Sequence, residues 1–234
     1  MADKNVQENS MIGNDIFITT NINEETTSNM IKSFARWVQN ATLPRRAEND
    51  KKNKQNKQKI IAPYDAWPAG QPVLNIYLAT PGGDAYVLQS ILTLMHMAQA
   101  KGTIVRTYNI SRASSCGSLI AVSGNKGYRY MAENAYNLIH YGHVAISTVR
   151  QDEVEYQVNT IKEHTKLMEK IYLQTTNLSQ QELSKFFETE GAGKLDSKTC
   201  LEKGVCDWVI TNDGQYTNNP KLLKDIKNLN DLSR

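Results

Sequence analysis

Cysteine is scarce in this 234-residue chain: there are three, Cys116, Cys200 and Cys206, and no two stand at the short gap of a metal knuckle or redox motif. An odd number of unmatched thiols fits a reducing compartment. Long apolar runs are missing as well, none approaching the roughly 18 residues of a membrane span. The first ten residues are polar, with no apolar signal core. Together these absences predict a cytoplasmic chain with no membrane partner. No Gly-Lys-Ser/Thr phosphate loop occurs, so the chain itself is expected to bind neither ATP nor another cofactor. The four histidines form no metal-ligand pattern. Net charge is small, +3, but Arg45 to Lys59 holds seven Lys or Arg against Glu48 and Asp50. That run carries +5 and leaves −2 (3 − 5) for the rest. It has no interleaved aromatics and is rich in Asn and Gln, so a solvated loop is the expectation, and no nucleic-acid partner.

What is present is one α/β body. Apolar residues make up 40% of the chain and no linker divides it. The reading gives a disordered leader over 1–14, a body over 15–212 interrupted by an inserted basic loop at 41–71, and a polar tail over 213–234 with a hint of a terminal helix. Strands are expected at 15–20, 73–78, 103–108, 128–131, 135–140 and 205–210. Met30, Phe34, Trp37 and Val38 have helical spacing behind a cap at Asn23 or Thr26. Ala85, Leu88, Leu92, Met95 and Ala98 do the same for a second helix. Alternating strand and helix predicts a largely parallel sheet whose ligands lie beyond the carboxyl ends of the strands. A long helix over 148–176 carries a narrow seam, Val154, Val158, Ile161, Thr165, Met168 and Tyr172. The seam reads as packing on another copy of the chain, the alternative being a helix lying on its own sheet. Ser179 and Glu182 form a capping box, and Asp196 is expected to cap a helix over 197–203.

Two stretches carry chemistry. Ser111 to Ser118 is a small-residue turn running into Leu119-Ile120-Ala121-Val122, which presents Ser115 at the first turn of a buried helix. Amides there lack helical partners, and the helix dipole favours negative charge. His140 follows 25 residues later at a strand exit. Small residues also fill turns where nothing larger fits, so the turn alone does not establish catalysis. Thr80-Pro81-Gly82-Gly83-Asp84 joins a strand to a helix; it is either an ordinary turn or one shaped for close approach of a bound chain.

Taken in order, these stretches resemble the proteolytic subunit of the Clp protease family, whose fold is shared with crotonases and signal-peptide peptidases. The resemblance runs roughly from Asp15 to Ile210. Thr80-Pro81-Gly82-Gly83 resembles the family's Ser-Pro-Gly-Gly, with Thr for Ser. Ala113-Ser114-Ser115-Cys116-Gly117-Ser118 is similar to its Ala-Ala-Ser-Met-Gly-Ser/Ala turn. Gly124 to Tyr130 resembles Gly-Ala-Lys-Gly-Lys-Arg, Asn134 to His140 resembles Asn-Ser-Arg-Val-Met-Ile-His, and Gly204-Val205-Cys206-Asp207 is a weaker echo of Gly-Leu-Val-Asp.

The resemblance implies a ClpP/crotonase-like fold of ββα units with a protruding handle helix. It implies a serine endopeptidase in which Ser115 attacks, His140 is the base, and the amides of Gly83 and Cys116 hold the oxyanion. The third member departs from the pattern, because a gapless count from Leu195 reaches Ala192. Counting forward from the Leu183 helix reaches Glu190, with Glu188 and Asp196 as alternatives. His143 lies beyond the motif, and His96 and His164 read as structural or solvated. The implied partners are further copies in paired heptameric rings, a separate ATP-driven AAA+ unfoldase, and unfolded polypeptide as substrate. A bacteriophage head-maturation protease of this fold and an inactive ring subunit are the alternatives. A crotonase-like acyl-CoA enzyme has no need of Ser115 and His140 at this interval.

Overall fold

The computed structural model describes residues 8–41, 71–140, 151–189 and 193–223. The inserted basic run at 45–59, His143 and Glu190 lie outside the described residues. In chain order the elements begin with β1 (Ser10–Ile12), β2 (Asp15–Ile18), α1 (Glu24–Asn40), β3 (Val73–Thr80) and α2 (Ala85–Ala100). Then come β4 (Ile104–Ser114), α3 (Cys116–Val122), β5 (Arg129–Ala132), β6 (Tyr136–Leu138) and α4 (Gln151–Thr175). The order closes with α5 (Gln180–Glu188), β7 (Lys194–Asp196), α6 (Ser197–Glu202), β8 (Trp208–Ile210) and β9 (Tyr216–Thr217).

The expected mixed α/β architecture is the observed one. β2, β3, β4, β5 and β8 run parallel, with β1 and β9 antiparallel at the edges. β4 is the pivot: Thr107–Asn109 pairs with β5, while Arg112–Ser114 pairs with β6, which in turn takes β7 antiparallel. The sheet therefore splits just before Ser115. Alternation decides the faces. Ile16, Ile18, Leu74, Ile76 and Leu78 are fully buried, in one core with Met30 and Phe34 of α1 and Ile91 and Met95 of α2. On the opposite face Phe17, Tyr77, Tyr108 and Tyr130 stack in a row, with centroids 5.1, 4.9 and 4.6 Å apart, and Tyr216 meets Tyr130 edge-on.

Caps follow the sequence closely. Asn23 and Thr26 make a capping box on α1, Ser179 and Glu182 another on α5, and the Asp196 carboxylate accepts from Thr199 N. Three short strands escaped the periodicity. The chain is ordered inside the 1–14 stretch assigned to a leader, where β1 pairs with β2 across Gly13-Asn14, a two-residue hairpin with Gly13 at φ 61°. β9 lies inside the expected polar tail and returns on β8 through Asp213-Gly214. β7 is a third. Two or three residues are too few to show alternation, so the turn dipeptides were the usable signal.

Arg129 and Asp207, conspicuous in the two later motifs, are partners. Arg129 Nε and Nη2 donate to the two Asp207 oxygens at 2.8 and 2.6 Å, and Nη1 donates to Thr175 O at 2.7 Å. This buried fork ties β5 and the entry to β8 onto the end of α4. The α4 seam is divided. Tyr172 is fully buried against the body and Thr165 nearly so, whereas Val158 is exposed, as is its neighbour Tyr156 outside the seam. Its second half thus packs on the body of its own chain. Among the described residues no helix is long and apolar enough to cross a membrane.

Candidate active site

Three strand exits converge. β3 ends in Thr80, whose hydroxyl donates to Thr20 O (2.6 Å) and accepts from Gly82 N (3.1 Å), bending the chain sharply into the glycine pair. Ile22 then brackets Gly83: Ile22 N donates to Gly82 O at 2.8 Å and Asp84 N donates to Ile22 O at 2.6 Å. A Cβ on Gly83, at φ 150°, would lie 2.1 Å from Ile22 O, and one on Gly82, at φ 98°, 2.7 Å from Ser115 Cβ. Both positions require glycine for space as well as for φ. Asp84 caps α2, its carboxylate accepting from the amides of Tyr86 and Val87.

β4 delivers Ser115. It has φ 54° and ψ −121°, and among the described residues no other non-glycine has positive φ. Such a conformation costs about 1–3 kcal/mol and persists only where the surroundings impose it. Here Ser115 N donates to Leu138 O at 2.8 Å, and Ser118 N to Ser115 O at 2.9 Å. Gly117 lies against the methyl of Thr80, where a Cβ would come within 2.5 Å, so the turn and the glycine loop interlock. Cys116 opens α3. Its thiol lies 3.1 Å from Gly83 O, and burial pushes it up from its ordinary range, which keeps it protonated. The amides of Gly83 and Cys116 donate to no backbone carbonyl among the described residues.

β6 carries the chain on to His140, with Ile139 N bonded to Gly193 O at 2.9 Å. Gly83, Ser115, Cys116 and His140 all line one cavity of about 610 Å³. Its further wall is a slot between α2 and α4, where Leu88, Leu92, Ile161 and Met168 share the lining with the polar side chains of Gln89 and Thr160. His164, read from the sequence as structural or solvated, also lines it and meets Tyr86 edge-on at 5.3 Å. The seam residues Ile161, Thr165 and Met168 line it too. The sequence pattern marked those positions as a seam expected to pack on another copy or on the chain's own sheet, and their place along this cavity was not foreseen. Ile22 was missed altogether, since a clamp made by backbone atoms leaves no mark in side-chain pattern. His96 lies on α2, exposed. Of the other two carboxylate candidates, Glu188 is exposed at the end of α5. Asp196 caps α6 and pairs with Tyr136, four residues before His140.

This arrangement has the elements of acyl transfer: a hydroxyl on a strained turn at a helix start, an imidazole in the same cavity, and two amides that have no backbone acceptor among the described residues. A profile of the family described as Clp protease matches residues 51–213. Among curated proteins, the ATP-dependent Clp protease proteolytic subunit of Lactococcus lactis is 30% identical over 139 residues, covering 58% of this chain and 67% of that one. The subunit of the same name from Streptococcus uberis is 30% identical over 139 residues (58% and 68%). That of Deinococcus radiodurans is 27% identical over 137 residues (58% and 64%).

Proposed function

The chain belongs to the Clp protease family, and from that membership we propose that it is a serine endopeptidase acting on unfolded polypeptide. The observation that carries the reading is the meeting of Ser115, His140 and the amides of Gly83 and Cys116 in one cavity. Ser115 Oγ attacks the peptide carbonyl while His140 takes its proton, and the carbonyl oxygen, now anionic, rests on the two amides. His140 returns the proton to the leaving amine, which departs and leaves an acyl-enzyme. Water, deprotonated by the same imidazole, releases the new carboxyl and regenerates the serine. Glu190 is the proposed carboxylate behind His140. It stands three residues before Gly193, a chain span of at most about 11 Å, and Gly193 O bonds the residue adjacent to His140. Asp196 has another task at α6.

The slot between α2 and α4 takes a substrate side chain beside the reacting carbonyl. Assembly into paired rings, with the exposed part of α4 between copies and the active sites enclosed, completes the proposal. A separate ATP-consuming unfoldase supplies the polypeptide.

The test is labelling of the assembled protein with a fluorophosphonate, followed by peptide mass mapping, with Ser115→Ala as control. An adduct on Ser115, absent in the variant, is expected, together with cleavage of a fluorogenic peptide. Absence of both in a protein that sediments as a ring would leave the inactive ring subunit as the better reading.

A further inference from the structure

Ser115 is held in its unusual conformation from three sides. On the strand side its amide is tied to Leu138 O; on the loop side Gly82 stands against its Cβ; on the helix side its carbonyl accepts from Ser118 N. The last of these depends on Ser118 keeping its place, and the Ser118 hydroxyl is 2.7 Å from the hydroxyl of Tyr172. Both residues are fully buried, and neither lines the cavity. A buried serine hydroxyl must have a partner. Deprived of a side chain, a helical serine turns its hydroxyl to a carbonyl three or four residues back and distorts the turn. For Ser118 those carbonyls are Ser115 and Ser114, the peptide units that set the backbone of Ser115.

We infer that Tyr172, on α4, is a positioning residue for Ser115: its hydroxyl occupies that of Ser118 and so keeps the first turn of α3 from collapsing onto the Ser115 peptide. The inference rests on the reading of Ser115 as the nucleophile. It adds that α4, besides walling the cavity, controls the geometry of the turn through one hydrogen bond between residues 54 apart in sequence.

The experiment uses the full chain as wild type, Tyr172→Phe, Ser118→Ala and the double variant. It measures the fluorophosphonate labelling rate of Ser115, kcat and KM on a fluorogenic peptide, and the thermal midpoint, with rates expressed per folded molecule. Tyr172→Phe is expected to lower the labelling rate and kcat by about 10-fold with KM changed less than about 2-fold, as a small misplacement of a reacting group does. The double variant, which has no serine hydroxyl left to turn inward, is expected to recover to within about 3-fold of wild type, a non-additivity that lost packing does not produce. If the phenylalanine variant is too unstable, Tyr172→Leu repeats the comparison in both backgrounds. A Tyr172→Phe protein labelled at the wild-type rate, or a double variant as slow as the single, overturns the inference while leaving Ser115 as nucleophile. A wild type that never labels overturns both.

Discussion

Replacing Gly83 by alanine probes the candidate site at a position with no room for a side chain. The added Cβ would lie 2.1 Å from Ile22 O, where ordinary contact begins at 3.4 Å, so the two segments must part by more than an ångström. Parting them loosens two backbone bonds, Ile22 N to Gly82 O and Asp84 N to Ile22 O, each contributing about 0.5–1.5 kcal/mol. An L-residue at φ 150° adds about 1–3 kcal/mol. The sum is a destabilisation of about 2–6 kcal/mol, part of which the loop relieves by moving. Movement carries the Gly83 amide away from the carbonyl oxygen it is proposed to hold, and loss of one such donor lowers kcat by about 10²–10³. Gly13→Ala is the control: it shares a positive φ, 61°, but has nothing within 4 Å of its Cβ. It should cost stability without touching kcat. The assays are thermal unfolding and steady-state cleavage of a fluorogenic peptide. A Gly83→Ala enzyme that melts lower yet keeps wild-type kcat would refute the assignment of this amide to the oxyanion.

Asp207→Ala leaves the Arg129 guanidinium, 2% exposed, without its carboxylate, and should destabilise by about 3–5 kcal/mol in urea unfolding. Asp196→Ala removes the cap of α6 and should cost about 0.5–2 kcal/mol with the labelling rate of Ser115 unchanged. Glu190→Gln is expected to do the reverse, slowing labelling at nearly constant stability. The Lys203 ammonium, with the amide and hydroxyl of Ser179, holds the Glu182 carboxyl at about 2, below its ordinary 4.5. A carboxyl lowered on folding contributes fully above its unfolded value, and that contribution is lost as pH falls from about 4.5 through about 2. Glu182→Gln should flatten the acid limb of the stability curve in that window. The effect should be under about 1 kcal/mol, because the pair faces solvent.

Much of the candidate site was legible because its parts are local. Ser115 announces itself by small neighbours before an apolar helix, Gly82-Gly83 by a glycine pair at a strand exit, and His140 by closing a strand. The carboxylate was hardest, since Glu190, Glu188 and Asp196 lie within nine residues in a stretch where the motif spacing shifts. In the structure Asp196 caps α6, as its position in the sequence predicts, and stands opposite Tyr136. The α4 seam shows the opposite difficulty. Its period predicts a helix with one apolar stripe, but a stripe does not say whether the surface against it is the chain's own or another copy's.

By itself the sequence determined what near neighbours decide: the longer helices and strands, and the caps at Asn23, Ser179 and Asp196. It also ordered the alternation that makes the sheet parallel and sends its loops to one end. Only the tertiary structure decided that the backbone of Ile22 would bracket Gly83. The same holds for the positive φ of Ser115, for Arg129 closing on Asp207 78 residues away, and for Tyr172 meeting Ser118. The reason is physical: helices, strands and caps form between residues close along the chain and leave a period or a cap signature. A clamp between distant strand exits arises only when parallel crossovers bring them side by side, and the residues it joins carry no spacing that marks them as a pair.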